Sequence, residues 1–469
     1  MAGITRSRAL VWLVPLTVAA AVLVSTLAAT GASAKTFRVS RHDDPPPGKC
    51  KHHQCSLREA IRAANRHRGR DVVVLPDRAP RYELSRRDGR VGQNGVGRGD
   101  LDVTGPITIR HGLGGRAVID AGGLGRVLDI HHGAPTKLAR ITLTGGDAAL
   151  DASPAQHGAG HSASAAGGGV ATRAPLRMIR SAVVANRADA GGGIFAAAPL
   201  TLMRTRVREN EADTGLGGGI YTRHGSVLII RSQVTANRAG DAGGGVVVRA
   251  DAFRISKATV AGNVARTDAG GVYVLGAKGR IAESTIDHNA AHRSGGGVFQ
   301  SGSRLAVFNS TVTRNRADQT GGGIQSSAVG GHVMLNSVTV VRNVDDLLGH
   351  RALGGGLASR GGSFSVVNSI VALNQSDTTP NDCHGAFDSF GGNLLSTMDG
   401  CKGFAGPAMV GPNPRLGSLK DNGGPTKTMA LRRDSPAIGN ANDQREPLAD
   451  QRGRSRSLDP DIGAFERLP

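Results

Sequence analysis

Between Val170 and Leu357 a glycine cluster is followed by an aliphatic residue eight times, at Val170, Ile194, Ile220, Val246, Val272, Val298, Ile324 and Leu357. The intervals are 24, 26, 26, 26, 26, 26 and 33 residues. Asparagine recurs in step, at Asn186, Asn210, Asn237, Asn263, Asn289, Asn315, Asn343 and Asn374. Three residues before each stands Val183, Val207, Val234, Val260, Ile286, Val312, Val340 or Val371. Within one copy, short apolar-polar alternations run over Ile220 to Arg223, Val227 to Arg231 and Gln233 to Ala236. Period-two alternation of β-branched residues predicts strands, and no stretch of the repeat has helical spacing. Three short strands repeated in register describe one coil of a solenoid. The expected fold is all-β: a single-stranded right-handed parallel β-helix of 24–26 residues per coil, each coil ~4.8 Å above the last.

Stacked coils place like residues in columns. The valines are expected to fill the bore, and the asparagines to form a structural ladder that satisfies turn groups the sheets leave unpaired. Ser181, Ser232, Ser284, Ser310, Ser337 and Ser369 suggest a second, small-residue turn ladder. The triple glycines supply positive φ at a sharp corner. Ahead of the repeat, Ser56-Leu57-Arg58-Glu59 is an S-x-x-E capping box. Leu57, Ala60, Ile61 and Ala64 follow at i, i+3, i+4 and i+7, so a short helix is expected to plug the first coil. Irregular strands are expected at Asp71 to Leu75, Ile107 to Arg110, Val118 to Asp120 and Ile141 to Thr144. Residues 147–166, with His157 and His161, read as a loop.

Residues 1–34 read as a secretory signal: Arg6 and Arg8, an apolar run from Ala9, and Ala32-Ser33-Ala34 as cleavage site. An uncleaved anchor is the rival reading, and no second span is expected. The organisation is then 1–34 signal peptide, 35–70 cap, 71–375 β-helix with regular coils over 167–375, and 376–469 a C-terminal region. Four cysteines in an exported chain imply disulfides. Cys50 with Cys55 and Cys383 with Cys401 is the simplest of three pairings. Cys50-Lys51-His52-His53-Gln54-Cys55 fits no common zinc spacing, so no metal and no cofactor are expected.

Glycine, at 69 of 469 residues, lacks a G-X-Y period, and 39% apolar residues argue against wholesale disorder. The net charge of +20 becomes +18 once Arg6 and Arg8 leave with the signal. That balance favours an anionic polysaccharide or envelope polymer as partner, outside the cell and free or held at its surface. No nucleic-acid-binding signature is present.

Cys55-Ser56-Leu57-Arg58-Glu59-Ala60-Ile61 resembles the signature of the CSLREA-domain family of exported bacterial proteins. Five C-terminal pieces are similar to the choice-of-anchor Q domain: Asn413 to Gly417, Asp421 to Thr426, Ser435 to Ile438, Asp450 to Gly453 and Asp461 to Glu466. The middle resembles right-handed β-helix proteins of the pectate-lyase-like superfamily. The resemblance implies a fold and export, since the family has no common activity.

The superfamily includes lyases and hydrolases, which need a base with calcium-holding acids or clustered carboxylates. Neither their local motifs nor an aligned acidic row is found. Asp345-Asp346 is the only paired acid in the repeats. No catalytic residue is assigned. If Ile220 and Thr222 point inward, Tyr221 and Arg223 point outward. That position holds Phe195, Tyr221, Tyr273 and Phe299, and the next outward one holds Arg173, Arg223 and Arg249. The two rows form a candidate polymer-binding track. The rival is that the aromatics lie under a neighbouring loop or inside the bore. The expected function is therefore a non-catalytic β-helix that binds or organises anionic polymer, with a polysaccharide lyase or glycoside hydrolase as the enzyme alternative and a spacer stalk as the third reading. Oligomeric state is not encoded in these patterns.

Overall fold

A computed structural model describes residues 33–76, 81–86, 99–112, 114–151, 165–302, 304–345, 353–377, 379–402 and 408–467. The expected signal segment before Ser33, His157, His161 and Asp346 lie outside the described residues. The fold is all-β, a parallel β-helix carrying one α-helix among the described residues. Parallel pairing starts with Thr36–Arg38 on Asp71–Leu75 and continues to Ala408–Val410. It therefore reaches beyond residues 71–375 at both ends.

Each regular coil carries four strands, one more than the alternation shows. In the coil of Ile220 they are Ile220–Thr222, Ser226–Ile230, Gln233–Thr235 and the two-residue Arg238–Ala239. We call the first three the entry, broad and return faces. The return face stacks 13 strands and the two-residue ladder nine. Register is unbroken along the entry face: Val170, Ile194, Ile220, Val246, Val272, Val298, Ile324 and Leu357 stack on one another. All eight are fully buried in the bore, which is the column expected from the sequence.

The asparagine ladder is continuous. Each Nδ2 donates to the Oδ1 of the next coil's asparagine at 2.8–3.0 Å. That same Oδ1 accepts the backbone N–H of the asparagine below at 3.0–3.1 Å. From Asn210 onward, each Nδ2 also donates to the carbonyl of the aliphatic residue one coil back, for example Asn237 to Val207 and Asn263 to Val234. This second bond accounts for the fixed three-residue spacing. The amides all point one way, so the last donor needs an acceptor-only partner. Asp382 supplies it, taking the N–H and Nδ2 of Asn374 on Oδ1 and the N–H groups of Ser396 and Thr397 on Oδ2. Burial pushes the Asp382 carboxyl up while these donors oppose it.

The glycine corner leaves no room for a side chain. A Cβ at Gly244 would lie 2.4 Å from the Val264 carbonyl oxygen, and Gly217 has φ +73°. The serine ladder differs in one place from its sequence pattern. Ser284 and Ser310 bond as stacked neighbours, but Val338 takes the column position where Ser337 was expected. Ser337 sits one residue earlier, with φ +55°.

Helix α1, Leu57–Arg66, closes the first end. The capping box forms, with Ser56 Oγ accepting the Glu59 N–H and Glu59 Oε2 accepting the Ser56 N–H. Leu57, Ala60, Ile61 and Ala64 are buried against the bore. Arg58 is fully buried and pairs bidentately with Asp44 at 2.8 and 2.9 Å. Cys50–Cys55 and Cys383–Cys401 are the disulfides. No described helix is long and apolar enough to cross a membrane.

The C-terminal segment makes a hairpin of Leu416–Lys420 and Thr428–Leu431, then runs irregularly to Arg467. It lies on the outside of the return face. Gln451, fully buried, donates to Thr285 Oγ1 and accepts from Thr311 Oγ1. The Ala464 N–H donates to Thr339 Oγ1 at 3.0 Å.

Candidate functional site

The aromatic row points out of the bore, as its parity predicts, but it is not an open surface. Phe195, Tyr221 and Phe299 are 4%, 5% and 7% exposed, and Tyr273 is half-buried. Phe195 meets Tyr221 edge-on at 5.6 Å, and Tyr273 meets Phe299 at 5.3 Å. Their cover is the glycine corner and its neighbours. Ala166, Ala190 and Leu216 pack on Phe195, Tyr221 and Val247 as a cluster separate from the bore. A Cβ on Gly217 would come within 2.8 Å of Tyr221 Cβ. The corner chain just ahead of each entry strand folds back across the rings, a contact that alternation does not encode. Phe195, Tyr221 and Phe299 therefore offer little free face to an external polymer in this conformation, while Tyr273 keeps part of its ring exposed. Burial also pushes the Tyr273 phenol up. Of the expected arginines, Arg223 and Arg249 are exposed, whereas Arg173 Nη1 is held by Asp129 at 2.9 Å.

The same outward column continues into the early coils with different chemistry. Asp102 stacks on Asp129, which stacks on Ala171, which stacks on Phe195. His131 Nε2 lies 2.8 Å from Asp102 Oδ1 and 3.9 Å from Asp129 Oδ2. Asp102, Asp129 and His131 are the described residues that could hold a metal ion. Burial is the main cause that pushes the Asp102 carboxyl up, against the pull of His131.

A third feature lies on the corner between the broad and return faces. One residue of each coil there adopts the left-handed conformation. In order these are Arg140, Arg180, Arg204, Arg231, Lys257, Glu283, Asn309, Ser337 and Asn368, with φ between 41° and 59°. Five successive residues are basic. Such a conformation costs a non-glycine residue ~1 kcal/mol or more, least for asparagine. The next corner has a similar column of Ala185, Glu209, Ala236, His288, Arg314, Arg342 and Leu373, and its chemistry is mixed. Strain alone therefore does not select arginine, and the basic run marks one corner only.

Arg180, Arg204 and Arg231 are exposed, and their side chains form no ion pair among the described residues. They edge a groove of about 430 Å³ floored by Ala139, Ile179, Met203 and Ile230. Arg116, Arg140, Arg180, Arg204 and Arg206 line its continuation. Burial, then the charge of Arg206, pushes the Arg116 guanidinium down. Uncompensated like charges at ~4.8 Å spacing are what an anion-binding edge requires. The run ends where Lys257 pairs with Glu283 at 3.0 Å. Sequence reasoning missed this column although its signal was present: Arg180, Arg204 and Arg231 each directly precede a Ser or Thr of the turn ladder.

Compared with known protein families and with curated proteins, the chain matches none. Among solved structures it is similar to pectate lyase Pel9A, with TM-score 0.46 and 14% identity, over 93% of this chain and 98% of that one. The fold assignment rests on the strand register itself.

Proposed function

We propose that this chain is an exported, non-catalytic β-helix that binds an extended anionic polymer, most simply an acidic polysaccharide, lengthwise along the arginine corner. The observation that carries the reading is the run Arg140, Arg180, Arg204, Arg231, Lys257 on one edge. A rigid stack repeats one cation per coil, and a polymer repeats one anion per unit, so many weak contacts add along the contact. The CSLREA-like and choice-of-anchor Q-like segments fit an exported protein. Their residues here do mechanical work: Ser56, Arg58 and Glu59 seat the cap, and Gln451 seats the C-terminal segment.

The test compares wild type with R180N/R204N/R231N on immobilised polygalacturonate and on neutral dextran. Asparagine tolerates the left-handed conformation, so the variant keeps its fold. Retention on the acidic matrix is expected to fall at least ~10-fold, with no retention of either protein on dextran. Unchanged retention would reject the arginine corner. Soluble unsaturated or reducing ends released from the matrix would instead favour the lyase or hydrolase reading.

A further inference from the structure

The early end of the outward column holds charged groups that polymer binding at the corner does not use. Asp102 comes from Leu101–Val103, Asp129 from Leu128–Ile130, and His131 follows directly. Parallel register stacks the two aspartates one above the other, on the same side of the sheet. One carboxylate oxygen from each and a His131 ring nitrogen all lie within 4.8 Å of one another. We propose that Asp102, Asp129 and His131 bind one divalent first-row transition-metal ion, with Zn²⁺ the best-fitting occupant.

Three observations support this beyond the clustering of acids. First, Asp102 has a side chain only 3% exposed, and its Oδ2 is buried with no hydrogen-bond partner. Buried carboxylate oxygens are rarely left bare, because an unmet acceptor keeps its full desolvation cost. A cation beside Oδ2 removes that cost. Second, a nitrogen donor joins the acids, since His131 Nε2 lies 2.8 Å from Asp102 Oδ1 and 3.9 Å from Asp129 Oδ2. Third, Asp129 is already oriented, since Arg173 Nη1 holds both its oxygens at 2.9 and 3.2 Å. Outer partners of this kind fix metal-ligating carboxylates.

The donor set also chooses the ion. One imidazole and two carboxylates suit Zn²⁺ and its neighbours, whereas Ca²⁺ requires six to eight oxygen ligands. Three protein donors leave a fourth position for water or an acidic ligand, and His131, 22% exposed, stands on the open side. The competing arrangement is a protonated His131 that simply ion-pairs with Asp102.

The disulfide-intact chain, freed of metal, is titrated with Co²⁺ and followed by visible absorption, then back-titrated with Zn²⁺. Variants are D102N, H131A and the control H52A/H53A, because His52 and His53 stand side by side on the surface and could take up metal. Expected is one equivalent of Co²⁺ with the strong bands of four- or five-coordinate ion. Zn²⁺ should displace it and raise the melting temperature. Affinity should fall at least ~10-fold in D102N and H131A and stay unchanged in H52A/H53A. No band in wild type, bands that survive in H131A, or loss in H52A/H53A would each overturn the site. Should D102N fail to fold, H131A decides, because its side chain is partly exposed. Binding of Ca²⁺ without Co²⁺ would also contradict the assignment.

Discussion

The corner between the broad and return faces has two halves built on one backbone. From Arg140 to Lys257 it is basic, and Arg180, Arg204 and Arg231 stand exposed beside an apolar-floored groove. From Asn309 to Asn368 the same position holds small polar residues beneath the C-terminal segment. There Asn309 donates to the Ala449 carbonyl at 2.7 Å, Ser337 to Glu446 Oε1 at 2.9 Å, and Asn368 to the Asn442 carbonyl at 2.9 Å. The first outward position of the return face changes less: it reads Thr142, Ala182, Arg206, Gln233 and Thr259 in the open half and Thr311, Thr339 and Ile370 in the covered half. The difference teaches that this backbone corner readily accepts a polar ligand. In one half the chain supplies that ligand itself, including a carboxylate from Glu446, whereas in the other Arg180, Arg204 and Arg231 form no ion pair among the described residues.

Making the covered half resemble the open one should have the largest effect. Asn368 is fully buried under Asn442, so Asn368→Arg would place a charge where the segment docks. A loss of ~4 kcal/mol in stability is expected, read as a lower melting temperature and faster amide exchange over residues 442–467. A neutral result would show that the cover is not seated as described. Gln451→Ala should cost ~2 kcal/mol, because it takes the acceptor from the buried Thr311 hydroxyl and the donor from Thr285 Oγ1, which keeps its own bond to the Lys427 carbonyl. Chemical denaturation of the two proteins in parallel would reveal it.

The covered half should also respond to pH. Burial raises the Glu446 carboxyl from 4.5 to about 7, even with Arg456 alongside and Glu466 sharing that arginine. A carboxyl raised on folding favours the protonated state. Its contribution is fully present below pH 4.5 and is lost as pH rises through about 7. Between pH 5 and 8 the seating of the segment should weaken by ~1–3 kcal/mol, and Glu446→Gln should flatten that slope. A wild-type profile that is already flat would place the Glu446 charge with Arg456 throughout.

How much of this could be read from the sequence follows from the range of the interactions involved. The eight aliphatic positions and eight asparagines recur with the coil, and stacking turns recurrence into contact, so the bore and ladder were legible. The cap was legible because Ser56 and Glu59 act three residues apart. The aromatic row was right in direction and wrong in exposure. What covers Tyr221 is Leu216 and Ala190 from the corner chain, and alternation reports only which way a side chain points. Asp102 and Asp129 lie before the regular repeats, where no period aligned them. The basic corner was overlooked because its residues sit at a turn rather than on a strand face.

The smallest expected effect belongs to the open half. Lys257→Asn should change stability by no more than ~0.5 kcal/mol, since its pair with Glu283 is partly exposed and such pairs contribute little. A larger change would mean that the basic run is there to hold the coils together.

The central claim is that the open half engages an anionic chain lengthwise. Its most direct measurement is the affinity of the protein for oligogalacturonates of increasing length, by calorimetry at two salt concentrations. The account predicts affinity that climbs with each added unit until the oligomer spans Arg140 to Lys257, then levels off, and that weakens at higher salt. Affinity independent of length, or equal for a neutral oligosaccharide of the same size, would contradict it.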